Sequence, residues 1–183
     1  MRQMFVLKDG TPLIVRAVTF NDAVVLPSLM AQIFGSSDQV LTSLEEFQAT
    51  TATVEAQLKR IKHFSEAIGK CLFVAEIDGK LVGTIDFWNG HRKRIEHTGE
   101  FGMGVLPDYR DKGIGKCLLE VLLTWATENP IIEKVKLGVF ANNLRAIHLY
   151  KKMGFQEEGR RVAEIKMADG AYYDIIEMYK QVK

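Results

Sequence analysis

The spacing of the apolar residues changes at Cys71, and this change narrows the folds that the chain can adopt. Before it, apolar side chains recur every three or four positions and predict a helix over about residues 53–68. After it, residues 71–77 and 81–88 are short apolar runs joined by Asp78-Gly79, a dipeptide that suits a tight hairpin turn. The pattern predicts a helix followed by an antiparallel strand pair, so the chain must build a sheet.

Strands and helices alternate through the rest of the sequence. Upstream, we expect a strand at residues 13–18 and a short helix at residues 23–33, with Pro27 in its first turn or at a bend. Downstream, the predicted elements are a strand at 97–105, a helix at 113–129, a strand at 135–140, a helix at 143–153 and a second hairpin of strands at about 155–166 and 171–179. This order predicts one α/β (α+β) domain over residues 1–183, with a mixed, mostly antiparallel sheet of about seven strands flanked by about four helices.

The composition is that of a folded protein with nearly balanced charge. Hydrophobic residues make up 47% of the chain, and 24 basic against 23 acidic side chains give a net charge of +1. Such a balance provides no global field to hold nucleic acid, so an anionic ligand must bind at a local site. No apolar stretch approaches the roughly 18 residues that a membrane span requires.

The two cysteines, Cys71 and Cys117, both lie in apolar surroundings. We interpret them as reduced core residues, which argues against a disulfide framework or a zinc site. The apolar run at residues 1–7 is too short for a signal peptide. These features lead us to expect a cytoplasmic protein without a metal cofactor.

The most informative segment is residues 105–116, which lie between a predicted strand and a predicted helix. Its glycines, Gly113 and Gly115, let a ligand approach the backbone, and the helix start directs N–H groups towards one point, which suits a diphosphate. A plain turn with glycines for geometry alone is the alternative. The segment lacks the first glycine and the hydroxyl of a P-loop, and Leu118 stands where a dinucleotide fingerprint has its third glycine.

The spacing Arg-x-x-Gly-x-Gly at residues 110–115 resembles the acetyl-CoA signature of the GNAT superfamily of N-acetyltransferases. The resemblance continues through residues 139–155, which are similar to that superfamily's second core motif. Residues 10–22 resemble its opening strand and helix cap, and residues 74–83 its central hairpin. Residues 170–178 are similar to a branch with peptide N-terminal and amino-acid or small-amine acetyltransferases.

This resemblance implies that acetyl-CoA is the cosubstrate. Its diphosphate would lie at the turn, against Arg110, Lys112, Gly113, Ile114, Gly115 and Lys116. Main-chain groups near Met103 and Val105 would pair with the pantetheine arm much as an added strand does. Asn143 would either hydrogen-bond the same arm or serve only as the N-cap of its helix.

Two side chains are the candidates for moving protons. A carboxylate at the position of Glu100 serves as base in related enzymes, and strand alternation puts it on one face with Gly102 and Gly104, whose missing side chains would leave room for a thin ligand. The alternatives are an ion-paired strand carboxylate, or His97 as the base. Tyr150 stands at the family's general-acid position, where a phenol can protonate the leaving thiolate; the alternative is a core aromatic.

We therefore expect an N-acetyltransferase that passes the acetyl group directly to a primary amine. The acceptor is a small-molecule amine, an amino acid or a peptide N-terminus, and a non-catalytic CoA-binding sensor is the alternative from another class. We expect the acceptor walls in residues 34–41, residues 86–94 and the last hairpin, where Tyr172 and Asp174 either line the pocket or are a tyrosine packed on the core and a hydrogen-bonded aspartate. Exposed strand edges would also allow a homodimer.

Overall fold

The computed structural model describes residues 1–183 and contains one eight-stranded sheet. Five α-helices and two short 3-10 helices accompany the sheet. The strands are β1 Arg2–Val6, β2 Pro12–Ala17, β3 Lys70–Ile77, β4 Lys80–Asn89, β5 Thr98–Val105, β6 Lys134–Phe140, β7 Gln156–Lys166 and β8 Tyr172–Gln181. The helices are α1 Leu26–Phe34, α2 Leu44–Thr50, α3 Val54–Ser65, α4 Ile114–Glu128 and α5 Leu144–Lys152, and the 3-10 helices are Phe20–Val24 and Pro107–Tyr109.

The strands lie in the order β1-β2-β3-β4-β5-β6-β8-β7 across the sheet. Every neighbouring pair is antiparallel except β5 and β6, which run parallel because α4 carries the chain back between them. The predicted mixed, mostly antiparallel sheet is confirmed. The structure has one strand and one helix more than the sequence predicted.

The additional strand is β1 and the additional helix is α2. All but one of the β1 residues are exposed, so the strand lacks the apolar alternation by which a strand is recognised in a sequence. In α2, Ser43 and Glu46 form a reciprocal capping box, but Phe47 is its one buried residue. A helix of seven residues with a single buried side chain has too little apolar periodicity to be predicted.

Helices cover both faces of the sheet. On one face, α4 and α5 contribute to a core of 26 buried residues that includes Phe87 and Leu118. On the other, α1, α2 and α3 enclose a core of 11 buried residues that includes Leu26 and Ile61. Because successive side chains of a strand point to opposite faces, β5 contributes side chains to both sides of the sheet.

The two parallel strands separate after three paired positions, the last of which joins Glu100 to Lys136. Beyond that point β5 stays paired with β4 as far as Val105, and β6 stays paired with β8 as far as Phe140. Each strand is therefore held on its outer side only, and a V-shaped gap separates them within the sheet. We call this gap the β5–β6 opening.

The N-terminal segment is fixed by a network of ion pairs. Arg16 on β2 makes two hydrogen bonds of 2.8 Å to the Asp22 carboxylate and a third of 2.8 Å to Glu76 on β3. Desolvation raises the pKa of Asp22, but the hydrogen bonds from Arg16 and Thr19 outweigh it and the net pKa is lowered. Pro27 lies in the first turn of α1, one of the two placements that the sequence allowed.

The strands β1 and β7 form the two edges of the sheet, and nearly every residue of β7 is exposed. Such edges can pair with another chain, and the homodimer stays a prediction. None of the helices is both long and apolar enough to cross a membrane.

Candidate active site

The start of α4 has no side-chain cap. Asp111 and Gly113 adopt positive φ angles of 64° and 95°, and Gly113 is the N-cap residue. No acidic residue lies in the first turn, so no side chain of the helix neutralises the positive end of its dipole. The amides of Ile114, Gly115 and Lys116 therefore form a site at which an anion can replace the missing cap.

The two glycines at this helix start, Gly113 and Gly115, have different surroundings. A Cβ atom on Gly113 would meet nothing within 4 Å, but its φ angle strains any other residue. A Cβ on Gly115 would lie 3.5 Å from Leu149 and 3.5 Å from Met103, which is ordinary contact. The first turn of α4 thus packs against both β5 and α5, next to the β5–β6 opening.

The three predicted basic side chains at this turn have different surroundings. The Nζ of Lys112 lies 5.3 Å from the centre of the Tyr109 ring, and Lys116 forms an ion pair of 2.9 Å with Glu120. The guanidinium of Arg110 instead donates hydrogen bonds to oxygen atoms of Val105 and Ser36. Lys112 and Lys116 are exposed beside the uncapped amides, whereas Arg110 is engaged with the chain itself.

Glu100 lies at the narrow end of the β5–β6 opening. Its side chain is 48% exposed and forms an ion pair of 3.2 Å with Lys136 on β6. Gly102 and Gly104 follow it on the same face of the strand, as predicted. The prediction that they leave empty space is wrong, because a Cβ would lie 2.9 Å from the Asp86 carboxylate at Gly102 and 2.5 Å from Ile33 at Gly104.

Tyr150 lies on the opposite face of β5 from Glu100. Its ring packs at 5.7 Å from Phe101 and 6.0 Å from Phe155, and burial raises its pKa to about 12. The hydroxyl forms no hydrogen bond within the chain. It is not completely buried, because every completely buried polar side-chain atom of the protein has a hydrogen-bond partner. The ring is therefore enclosed, and the hydroxyl keeps at most a small exposed surface.

Asn143 and His97 have structural contacts of their own. The Oδ1 of Asn143 accepts a hydrogen bond of 3.1 Å from the Ala146 amide, so this residue caps α5. The carbonyl of His97 accepts the amides of Glu133 and Lys134, which sets the start of β6 beside β5. Neither side chain forms a hydrogen bond or ion pair with Glu100 or Tyr150, and a pantetheine contact by Asn143 stays a prediction.

A cavity of about 550 Å³ opens at the carboxyl end of β6. We call it the hairpin cavity, since the β7–β8 turn forms one of its walls. Its lining residues are Ser36, Ser37, Asp38, Gln39, Phe140, Asn142, Met167, Ala168, Asp169 and Tyr173. Two of the three segments expected to form acceptor walls meet here, whereas residues 86–94 do not line the cavity.

In β8, the side chain that faces the cavity is Tyr173, and not Tyr172 or Asp174 as the pocket interpretation required. Tyr173 lines the hairpin cavity with its ring 6.2 Å from Phe140. Tyr172 is exposed beside Lys166, so it neither lines the cavity nor packs on the core. Asp174 pairs with Arg160 at 2.7 Å and accepts the amide of Ala163 at 2.7 Å. Asp174 thus braces the hairpin. Only the pairing register of β8 reveals that Tyr173 faces the cavity.

Sequence reasoning also missed Ser36 and Lys136, which contact Arg110 and Glu100. Ser36 belongs to a loop without periodicity, and Lys136 is recognisable only once β6 is known to lie beside β5. The free cysteines Cys71 and Cys117 are buried, and burial raises the pKa of both thiols, so neither is poised as a nucleophile. No group of three or more potential metal ligands occurs.

Comparison with known proteins finds a family model, curated relatives and a solved structure that are similar to this chain. Residues 39–155 match the family model described as "Acetyltransferase (GNAT) family". The chain is 31% identical over 101 residues to the L-amino acid N-acetyltransferase AaaT of Escherichia coli, covering 55% of this chain and 62% of that one. It is 28% identical over 118 residues to a spermidine N(1)-acetyltransferase of Vibrio cholerae, covering 64% and 66%. The yncA protein of Salmonella typhimurium, solved with its cofactor acetyl-CoA, has the same fold at a TM-score of 0.82 and 18% identity, over 93% of this chain and 94% of that one.

Proposed function

The chain belongs to the acetyltransferase (GNAT) family, and we propose that it transfers the acetyl group of acetyl-CoA directly to a primary amine. The observation that carries this proposal is the β5–β6 opening. A strand edge without a partner and an uncapped helix start lie there, and the phenol of Tyr150 packs against Phe101 of β5. A thin ligand with an anionic end and a reactive thioester matches all three features.

The cofactor would use the two kinds of free backbone donor. Its diphosphate lies against the amides of Ile114, Gly115 and Lys116, with Lys112 and the Lys116 side chain as counter-charges. Its pantetheine arm runs along the unpaired edge of β5 from Met103 to Val105 and adds a short strand to the sheet. These contacts need no metal, so acetyl-CoA binding measured by calorimetry should survive a chelator.

The acetyl group would arrive at the narrow end of the opening, where both faces of the sheet are within reach. From one face, Glu100 takes a proton from the acceptor ammonium, directly or through water, and frees the amine. The amine nitrogen attacks the thioester carbonyl and releases its second proton to water, and the carbon–sulfur bond breaks as the tetrahedral intermediate collapses to the amide. From the other face, Tyr150 donates its phenolic proton to the leaving thiolate and regains one from solvent.

The surroundings of the two groups suit these roles. Burial raises the pKa of Tyr150 to about 12, which keeps the phenol protonated at neutral pH. Glu100 is half exposed, so an incoming amine can reach its carboxylate. Lys136 holds that carboxylate beside the gap at 3.2 Å.

The acceptor would enter through the hairpin cavity, at the wide end of the opening, and extend its amine along the opening towards Glu100. The relatives act on two kinds of amine, by their names: an amino acid and spermidine. A thiol-release assay with acetyl-CoA and a panel of L-amino acids, spermidine and short peptides with free N-termini tests the proposal. We expect release with at least one class, and a product heavier by one acetyl group.

Three results would point elsewhere. A preference for peptides would make the protein a peptide N-terminal acetyltransferase. Acetyl-CoA binding without thiol release for any amine would make it a CoA-binding sensor. Absence of acetyl-CoA binding would overturn the proposal.

A further inference from the structure

The side chain of Arg110 is hydrogen-bonded to the end of β5 and to the loop after α1. Its backbone N–H caps the 3-10 turn by donating to the Pro107 carbonyl, and its Nε donates a hydrogen bond of 3.1 Å to the carbonyl of Val105, the last residue of β5. The guanidinium therefore folds back over the end of the strand. One of its edges is committed to β5 before any ligand is considered.

The other edge of the same guanidinium holds a segment 74 residues away in the sequence. One terminal nitrogen donates to the Ser36 carbonyl at 3.3 Å, and the other donates to the Ser36 hydroxyl at 2.6 Å. That hydroxyl in turn donates to the Ile33 carbonyl at 2.8 Å. Hydrogen bonds from a charged group are the stronger kind, so this contact is a firm anchor.

Ser36 begins a segment that we call the bridging loop, residues 36–39. All four of its residues line the hairpin cavity. At its other end, the side-chain amide of Gln39 donates to the Asn142 side chain at 3.4 Å, just beyond β6. The bridging loop therefore crosses the wide end of the β5–β6 opening, with Arg110 fixing it to β5 and Asn142 contacting it from the β6 side.

The helix before the loop is also seated on β5. Ile33 near the end of α1 fills the space above Gly104, where even a Cβ atom would approach it to 2.5 Å. Packing fixes the helix, but Ser36 lies beyond its end and relies on hydrogen bonds. Arg110 supplies two of these bonds.

We propose that Arg110 is a positioning residue for the acceptor: it sets the bridging loop over the β5–β6 opening and so shapes the hairpin cavity. This inference rests on the proposed function, and it differs from the role that the family resemblance implies, which is a contact with the diphosphate. The guanidinium fork is essential to it, because a single ammonium cannot reach Val105 and both oxygens of Ser36 together. The diphosphate is left to the amides, Lys112 and Lys116.

Arg110→Lys separates the two roles, since it keeps the charge and removes the fork. A diphosphate contact would survive in part, because lysine also binds phosphate as a point charge. Loss of the loop anchor should raise the KM for the acceptor amine by about tenfold and leave the Kd of acetyl-CoA within about twofold. Ser36→Ala removes the matching hydroxyl and should change the same two constants in the same direction, by a smaller factor.

Two controls accompany these variants. Ser28→Ala, on α1, removes a serine hydroxyl whose contact is with Gln32 in the same helix, and it should leave both constants unchanged. Lys112→Ala should give the opposite phenotype, with weaker acetyl-CoA binding and an unchanged KM for the amine. The amine used is the member of the amino acid, spermidine and peptide panel with the highest turnover.

Hydrogen exchange tests the anchor without any turnover. The amides of residues 36–39 should exchange faster in Arg110→Lys and Ser36→Ala than in the unaltered protein, with exchange in β5 unchanged. If Arg110→Lys weakens acetyl-CoA binding but leaves loop exchange and the amine KM unchanged, Arg110 is a diphosphate ligand and the inference is overturned. Unaltered loop exchange in both variants would also refute it, even if no amine is acetylated and the proposed function itself has failed.

Discussion

Two strand–turn–helix segments, which we call the two arms, border the β5–β6 opening. They have the same order of elements but differ in how the helix start is capped. Each is a strand followed by a turn and a helix: β5 leads to α4, and β6 leads to α5. The first turn is long, has two residues at positive φ and leaves α4 without a side-chain cap. The second is short, and Asn143 caps α5 with its own side chain.

In the proposed function, this difference separates cofactor binding from proton transfer. An uncapped helix start keeps N–H donors for a ligand, whereas a capped one has already satisfied part of them. The first arm therefore offers backbone to an anion. The second satisfies its own backbone and contributes a side chain, Tyr150, whose hydroxyl has no partner in the chain.

The largest effect is expected from Tyr150→Phe, which removes the proposed proton donor of the second arm. Turnover should fall by about 10²–10⁴-fold while acetyl-CoA affinity stays nearly intact, because the variant loses a proton donor and little packing. Steady-state kinetics and calorimetry measure the two quantities. Tyr179→Phe removes a phenol that contacts Gln156 and should keep full turnover. Unchanged turnover in Tyr150→Phe would show that the tyrosine is only a core aromatic. The second arm would then have no part in proton transfer.

The next largest effect is expected from a substitution at the glycine turn of the first arm. Gly113→Val strains a backbone with φ at 95° and puts a side chain into the open space where the diphosphate would lie, so acetyl-CoA should bind at least about tenfold more weakly. Calorimetry measures the affinity, and thermal unfolding measures the strain. Gly79→Val is the matched control, because Gly79 has φ at 78° and equally open surroundings in the β3–β4 turn. Equal acetyl-CoA affinity in the two variants would show that the diphosphate does not bind at this turn.

Glu100→Gln examines the point where the arms meet. Without the carboxylate, the enzyme depends on acceptor that is already deprotonated, so the rising limb of its pH–rate profile should move to higher pH. Activity should be lowest at acidic pH and recover partly under alkaline conditions. Thermal unfolding of the same variant controls for loss of the ion pair with Lys136. A profile of unaltered shape would make Glu100 a structural strand carboxylate.

The smallest effect concerns the cap of the second arm. Asn143→Ala should lower the free energy of unfolding by about 1 kcal/mol, because the Ala146 amide loses its partner. A change of that size lowers the Tm by about 2–4 °C in a protein of this length. Asn143→Ser retains a capping oxygen and should recover most of the stability. If serine restores stability while acetyl-CoA affinity stays low, the Asn143 amide binds pantetheine and both arms hold the cofactor.

The elements predicted best are those with strong local signals. The β3–β4 hairpin, α4, α5 and the turn between β5 and α4 all depend on residues a few positions apart, such as Asp78-Gly79 or Gly113. The strand β1 and the helix α2 were missed because each buries at most one side chain, so neither carries a clear period. For the same reason, the bridging loop had no pattern from which the role of Ser36 could be inferred.

By itself, the sequence determined most of the element order and the glycine turn, and it supplied the side chains that we propose as chemically active, because backbone conformation and side-chain type are local properties. The tertiary structure alone decided which of these groups meet. It separated β5 from β6 after Glu100, placed Lys136 beside that carboxylate, turned Tyr173 rather than Tyr172 to the cavity, and joined Arg110 to Ser36 across 74 residues. Strand pairing and register bring distant residues together, and one step of register exchanges the two faces of a strand.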